Sequence, residues 1–212
     1  MSYTTIIFDL DETLYQPGIG IWNKLSDRIH QYMQEVVGIP EEFVIETRLK
    51  YYGKYGTTMR GLITHHGIDP HHYLDYVHDF EIKDEISFDP ALYDMVAGLP
   101  YERHIFTNAT REHATRILKI LGILDLFDPI IDVLDVYPHC KPDREAFDIA
   151  LEKFGKSADE CIFVDDSIKN LNTANEMGFF TILPNADETK PVQPHAQVHE
   201  LVDLPEVLPP FN

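Results

Sequence analysis

The chain of 212 residues carries 36 Asp plus Glu against 17 Lys plus Arg, a formal charge of −19 with histidines neutral. Acidity on that scale, with no Lys/Arg cluster to reverse it locally, is expected to repel nucleic-acid polymers and anionic membrane surfaces. A hydrophobic content of 44% with 12 Phe and 11 Tyr excludes a disordered acidic tail, and the length suits one ordinary domain, or a core domain with one insertion.

Cys140 and Cys161 have no zinc or redox spacing and are expected as buried thiols. The opening Met1, Ser2, Tyr3 leads into an apolar run that Asp9 interrupts. There is no basic start, and no run approaches the roughly 20 apolar residues of a membrane span, so the expected location is cytoplasmic.

In chain order, Thr4 to Phe8 (TTIIF) is a β-branched run that ends in DLDET, a buried strand delivering acids at its C-terminal end. Trp22, Leu25, Ile29, Tyr32, Met33 and Val36 then keep helical spacing, Glu41 opens a second periodic segment after Pro40, and Asp69-Pro70 is an N-cap with proline at the first helical position. Asp89-Pro90 repeats that signature where the core resumes. The all-helical stretch 16–88 is a candidate lid, inserted into a core made of 1–15 and 89–212. Arg103 to Thr107 and Cys161 to Val164 repeat the strand pattern, each followed by a helical period; Ala114, Ile117, Leu118 and Leu121 share a face before Gly122 as C-cap, and 143–154 behaves alike. Ser157 with Glu160 has capping-box spacing but abuts a strand, and carries little weight. Phe179 to Leu183 is a last apolar run, and 184–212, with six prolines, is expected to hold a loose edge strand and one short helix. Alternating strands and helices predict an α/β fold, a doubly wound parallel sheet whose strand ends face one crevice.

Those strand ends carry the chemistry. Asp9 and Asp11, two apart at the end of a buried strand, either share a proton or bind a hard cation such as Mg2+. Thr107-Asn108, Lys141 before Pro142, and the second acidic pair Asp165-Asp166 complete a set that four chance turns would not supply. One Mg2+ and Lys141 leave the four aspartates about one charge short of neutrality, and a proton on Asp11, which a leaving alkoxide requires, closes the gap.

DLDET, FTN, CKP and VDDS, in this order and with these flanking strands, resemble the four motifs of the haloacid dehalogenase superfamily. The resemblance implies a Rossmann-like core with a helical cap, Asp9 as a nucleophile that forms an aspartyl-phosphate, and Asp11 as general acid and later base for water. It further implies Thr107 and Asn108 on the phosphoryl oxygens and Lys141 on both nucleophile and phosphate. Mg2+ would sit on Asp9, the main-chain carbonyl of Asp11, and Asp166, with Asp165 near or on the metal. Thr13 reads as a hydroxyl that fixes the loop, and Ser167 and Asn170 as groups that orient the acidic pair; relatives often carry another acid in the place of Asn170.

The dehalogenase branch lacks an acid at the position of Asp11, so the resemblance favours a phosphatase. The segments YYGKYGTTMRGL (51–62) and LGILDLFD (121–128) resemble the pyrimidine 5′-nucleotidase branch. Its tyrosines offer flat faces for a base, and Arg60 with Thr57 or Thr58 offers polar contacts, against helix packing as the plainer role of Tyr51, Tyr52 and Tyr55. His65-His66 and His71-His72 are expected as exposed imidazoles at a turn, and not as a zinc site. The expected protein is thus a Mg2+-dependent phosphomonoester hydrolase for nucleoside 5′-monophosphates, as monomer or homodimer. A sugar-phosphate or phosphoglycolate phosphatase, a dehalogenase and a non-catalytic regulatory protein of the same fold are the alternatives.

Overall fold

Strand β1, Thr5–Phe8, is buried along its whole length and lies at the centre of the sheet. The computed structural model describes residues 3–186 and 194–211. The chain divides into two units, Met1–Pro17 with Ile86–Asn212, and Gly18–Glu85.

The unit Gly18–Glu85 holds four helices among the described residues: α1 Ile21–Glu35, α2 Glu41–Tyr55, α3 Thr58–His66 and α4 Pro70–His78. In α1 the buried face is Ile21, Leu25, Ile29, Tyr32 and Met33. Trp22, one residue or about 100° away, is 40% exposed, and Val36 follows the helix end. Glu41 and Glu42 in the first turn of α2 and Lys54 in its last complement the helix dipole. Thr57 Oγ1 caps α3 by accepting from the Arg60 N–H, and Asp69 caps α4 by accepting from the His72 N–H. Tyr51 is buried against Gly61, where a Cβ would lie 2.3 Å from the tyrosine ring, so α2 and α3 approach closely only because residue 61 has no side chain. The histidine pairs are exposed and flank the connection 67–69, as expected: His65 and His66 end α3, hydrogen-bonded to the hydroxyls of Tyr55 and Tyr51, and His71 and His72 begin α4.

The second unit alternates as predicted: α5 Pro90–Gly98, β2 Glu102–Phe106, α6 Arg111–Leu121, β3 Ile130–Ile131, α7 Arg144–Phe154, β4 Cys161–Val164, α8 Ile168–Met177, β5 Phe180–Leu183 and β6 Ala196–Gln197. The described strands form one parallel sheet in the order β3-β2-β1-β4-β5-β6, with Phe8 opposite Ile105 on one side and Val164 on the other. Succession reverses direction between β1 and β4, which is where such sheets open a crevice beyond their carboxyl ends. Phe106, Phe147, Phe163 and Phe179 pack edge-on or tilted in the core beneath it.

Strand β3 has two residues, too short for a periodicity to register. The Ser157–Glu160 capping box does form: it caps the single 3-10 turn Ala158–Glu160 that leads straight into β4, so the adjacent strand was no argument against it. Gly122 ends α6 at φ 76°, and a Cβ there would also meet the Phe88 ring at 2.5 Å. Both cysteines are free and buried, and burial pushes the Cys161 thiol up to about 12. The edge strand β6 and the 3-10 turn Leu201–Glu206 follow residues 187–193, which lie outside the described residues. No helix among the described residues is long and apolar enough to cross a membrane.

Candidate active site

Three strand ends and one loop meet in the sheet-bearing unit. Asp9 leaves β1, Thr107 and Asn108 follow β2, Asp165 and Asp166 follow β4, and Lys141 comes from the loop before α7. Apart from Lys141, each is the first or second residue beyond a strand whose C-terminal end is buried and apolar, where the chain turns and its polar groups emerge at the crevice.

Lys141 is the hub. Its side chain is 1% exposed, and Nζ donates to Asp9 Oδ1 at 2.6 Å, to Asp165 Oδ2 at 2.8 Å and to the Phe106 carbonyl at 2.7 Å. All three ammonium protons are thereby used, as a buried cation requires. Burial alone would lower its pKa, but Asp165 and Asp9 outweigh burial and hold it above the ordinary lysine range.

The carboxylates remain in excess. Ligand oxygens of Asp9, Asp165 and Asp166 lie within 4.8 Å of one another. Burial, with Asp165 close by, pushes Asp9 up to about 7 and Asp166 up to about 8, even with Lys141 pulling the other way. An all-oxygen set that resists ionisation for want of positive charge fits a hard divalent cation.

The surrounding hydrogen bonds fix this cluster. Thr13 Oγ1 donates to Asp9 Oδ2 at 3.3 Å and accepts from the Asp166 N–H at 3.2 Å, tying the two acidic strand ends together. Asp165 Oδ1 accepts from the Ser167 N–H, and both its oxygens accept from Asn170 Nδ2 at 3.0 Å. An acid at position 170 would face Asp165; the amide feeds it two bonds instead. Asn185 Nδ2 donates to the carbonyl of Glu12, a non-glycine residue at φ 58°, and so braces the turn after β1.

Thr107 and Asn108 stand beside Lys141, with one revision to their reading. The Asn108 side chain donates Nδ2 to the Lys141 carbonyl and accepts the Lys141 N–H, each at 2.9 Å. Oδ1 and one Nδ2 proton are engaged with the lysine loop, which leaves the second Nδ2 proton and the main chain at this position for an anion. Thr107 Oγ1 accepts from the Ala109 N–H at 3.0 Å. Arg60 belongs to the helical unit, where Nη1 donates to the Tyr55 carbonyl.

Two residues at the site escaped the sequence reading. Tyr15 donates its hydroxyl to Asp11 Oδ1 at 2.6 Å, and His113 Nε2 lies 3.0 Å from the same oxygen. Tyr15 stands four residues after Asp11, a local spacing that was there to be noticed. His113 adjoins the apolar face of α6 as one histidine of eleven, 102 residues from its partner, and nothing local marked it.

A doubly wound parallel sheet with a buried lysine bridging two of three clustered aspartates at its switch point defines an α/β protein with a centre that can hold a cation. The family model of the haloacid dehalogenase-like hydrolases matches residues 3–178, and the chain belongs to that family. A curated relative, Phosphate metabolism protein 8 of Saccharomyces cerevisiae, is 29% identical in an alignment of 191 residues that covers 81% of this chain and 58% of the relative. The chain therefore spans little more than half of that protein's length. Among solved structures, a HAD phosphatase from Thermococcus onnurineus has a TM-score of 0.65 at 19% identity, covering 96% of this chain and 97% of that one. YfnB of Bacillus subtilis, a HAD-family chain bound to magnesium, has a TM-score of 0.61 at 18% identity and covers 98% and 99%. Dehalogenases share the fold as well; at these identities the likeness is one of fold alone.

Proposed function

We propose that the protein is a Mg2+-dependent phosphomonoester hydrolase acting through an aspartyl-phosphate on Asp9, with pyrimidine nucleoside 5′-monophosphates as its substrates. The observation that carries the reading is the ion-paired Asp9, held on Lys141 beside Asp165 and Asp166, with a second carboxyl at Asp11. The curated relative's connection with phosphate and the magnesium found in a fold neighbour agree with it.

Asp9, Asp166 and Asp165, with the Asp11 carbonyl, would hold Mg2+, which supplies positive charge to the phosphoryl oxygens when bound. Lys141 fixes the Asp9 carboxylate and neutralises part of the charge that gathers on the equatorial oxygens. Thr107 and Asn108 take the remaining oxygens. An Asp9 oxygen attacks phosphorus and the bond to the ester oxygen breaks, its electron pair staying on that oxygen, which takes a proton from Asp11. Asp11 then removes a proton from the water that attacks phosphorus, and the bond to Asp9 breaks. A halide would need no such proton, so Asp11 separates this reading from a dehalogenase. Arg60, with Thr57 or Thr58, is the proposed source of substrate preference in the helical unit.

A panel of phosphomonoesters with and without EDTA tests the reading. Wild-type turnover that EDTA stops and Mg2+ restores, absent in Asp9→Asn, supports it; full activity in Asp9→Asn removes it. A preference for nucleoside monophosphates that Arg60→Ala weakens supports the substrate assignment, and a preference for sugar phosphates replaces it.

A further inference from the structure

The second carboxyl of the DLDET loop is held in an unusual way for a group that must both give and take a proton. Asp11 is largely buried, with a side chain 15% exposed, and Oδ1 receives two partners, Tyr15 at 2.6 Å and His113 at 3.0 Å. Tyr15 donates to Oδ1, and in its Nε2–H tautomer His113 donates there as well, so an oxygen with both lone pairs engaged is the poorer site for a proton. Both donors are themselves fixed. The His113 side chain is fully buried, in the first turn of α6, where its N–H donates to Thr110 Oγ1. Tyr15 is buried directly after the turn in which the N–H groups of Thr13 and Leu14 donate to the Leu10 carbonyl.

From this geometry we infer that Tyr15 and His113 are positioning residues for the acid–base group: together they occupy both lone pairs of Asp11 Oδ1 and so confine the transferable proton to Oδ2. The inference rests on the proposed phosphatase reading and adds to it the residues that decide which oxygen of Asp11 exchanges the proton. In the first step Asp9 forms its bond to phosphorus as the ester bond breaks, and the departing oxygen takes the proton from Oδ2. In the second step Oδ2 recovers a proton from the attacking water. Oδ1 stays a double acceptor throughout, so the carboxyl does not have to rotate between steps.

The test compares leaving groups, because a misplaced acid matters only when the leaving oxygen needs a proton. Wild type, Tyr15→Phe, His113→Leu and His113→Gln are assayed by kcat/KM, which reports the steps through leaving-group departure. The substrates are 2,4-dinitrophenyl phosphate, whose phenolate leaves unprotonated, and the fastest alkyl ester among uridine 5′-monophosphate, glycerol phosphate and glucose 6-phosphate. The expected result is a fall of about 10- to 100-fold on the alkyl ester for Tyr15→Phe and His113→Leu, a fraction of what a general acid contributes. The aryl ester should change by less than about threefold, and His113→Gln, which keeps a donor, should recover part of the loss. Retained aryl activity also certifies that each variant is folded. Equal losses on both esters, no loss on either, or a wild type that cleaves the aryl ester alone overturns the inference while phosphatase activity stands. A wild type that cleaves no phosphomonoester overturns the proposed function and the inference with it.

Discussion

Asn108 and Lys141 are locked to each other by two reciprocal bonds, the side-chain amide of one embracing the main-chain N–H and carbonyl of the other, each at 2.9 Å. The lysine that reaches Asp9 is thus aimed by a residue 33 positions earlier. Asn108→Ala should lower kcat by about 10- to 100-fold and destabilise by about 1 to 3 kcal/mol, the cost of leaving partly buried backbone groups without partners. Asn108→Asp, which keeps the acceptor and loses the donor, should fall between. Steady-state kinetics beside thermal melts check both; an Asn108→Ala protein with unchanged kcat would detach the clamp from catalysis.

Lys141 separates stability from activity. Replacing it by Met leaves Asp9 and Asp165 facing each other in a buried site, and removal of one member of a buried ion pair typically costs about 3 to 5 kcal/mol. Adding Asp165→Asn takes away one of the stranded charges. The double variant should therefore regain much of the stability lost in Lys141→Met while remaining inactive. Urea titrations of the single and double variants measure the coupling, and additive effects would contradict it.

The acidic cluster sets a pH dependence for the protein held in EDTA. In the unfolded chain Asp9 and Asp166 lose their protons near 3.8; in the folded protein they keep them to about 7 and about 8. Between these limits the folded state binds more protons, so stability is greatest toward the acid end of the window and declines as pH rises through 7 and 8. A divalent cation binds the ionised carboxylates and should stabilise most at the alkaline end. Melting temperatures at several pH values, with EDTA and with Mg2+, should converge at low pH and diverge at high pH, and Asp166→Asn should flatten the EDTA curve. A melting temperature in EDTA that climbs from pH 5 to pH 9 would contradict this.

In the helical unit, Gly61 gives the sharpest steric test. A methyl at residue 61 would stand 2.3 Å from Tyr51, inside any real contact distance. Overpacking of this kind costs about 1 to 3 kcal/mol. Gly61→Ala should lower the melting temperature and speed hydrogen exchange in α2 and α3, and Tyr51→Ala placed alongside it should relieve part of the effect. Exchange rates unchanged by Gly61→Ala would mean that the two helices can part freely.

What the sequence made legible was what is encoded locally. Asp69-Pro70, Asp89-Pro90 and Gly122 marked helix ends because capping involves groups a few residues apart, and all three act as read. The strand-end acids stood out because a buried apolar run that stops at carboxylates is costly unless something answers the charge. Hidden from it were relationships across the sheet: His113 on Asp11, and the commitment of the Asn108 amide to Lys141. Both join groups more than 30 residues apart, which meet only when separate strands and loops have assembled. Trp22 shows the opposite limit, since a one-residue slip in helical phase turns a core candidate into a surface residue.

The central position of β1 has a consequence for how the protein comes into being. During synthesis Asp9 emerges long before Lys141, its neutralising partner 132 residues downstream, and before Asp165 and Asp166 further on. Until the Lys141 loop is in place and β4 has docked against β1, Asp9, the proposed nucleophile, lacks its ammonium and its neighbouring acids, so the proposed reaction should await both. Turnover, measured during refolding, would report completion of the central strand pairing rather than the first collapse of the chain.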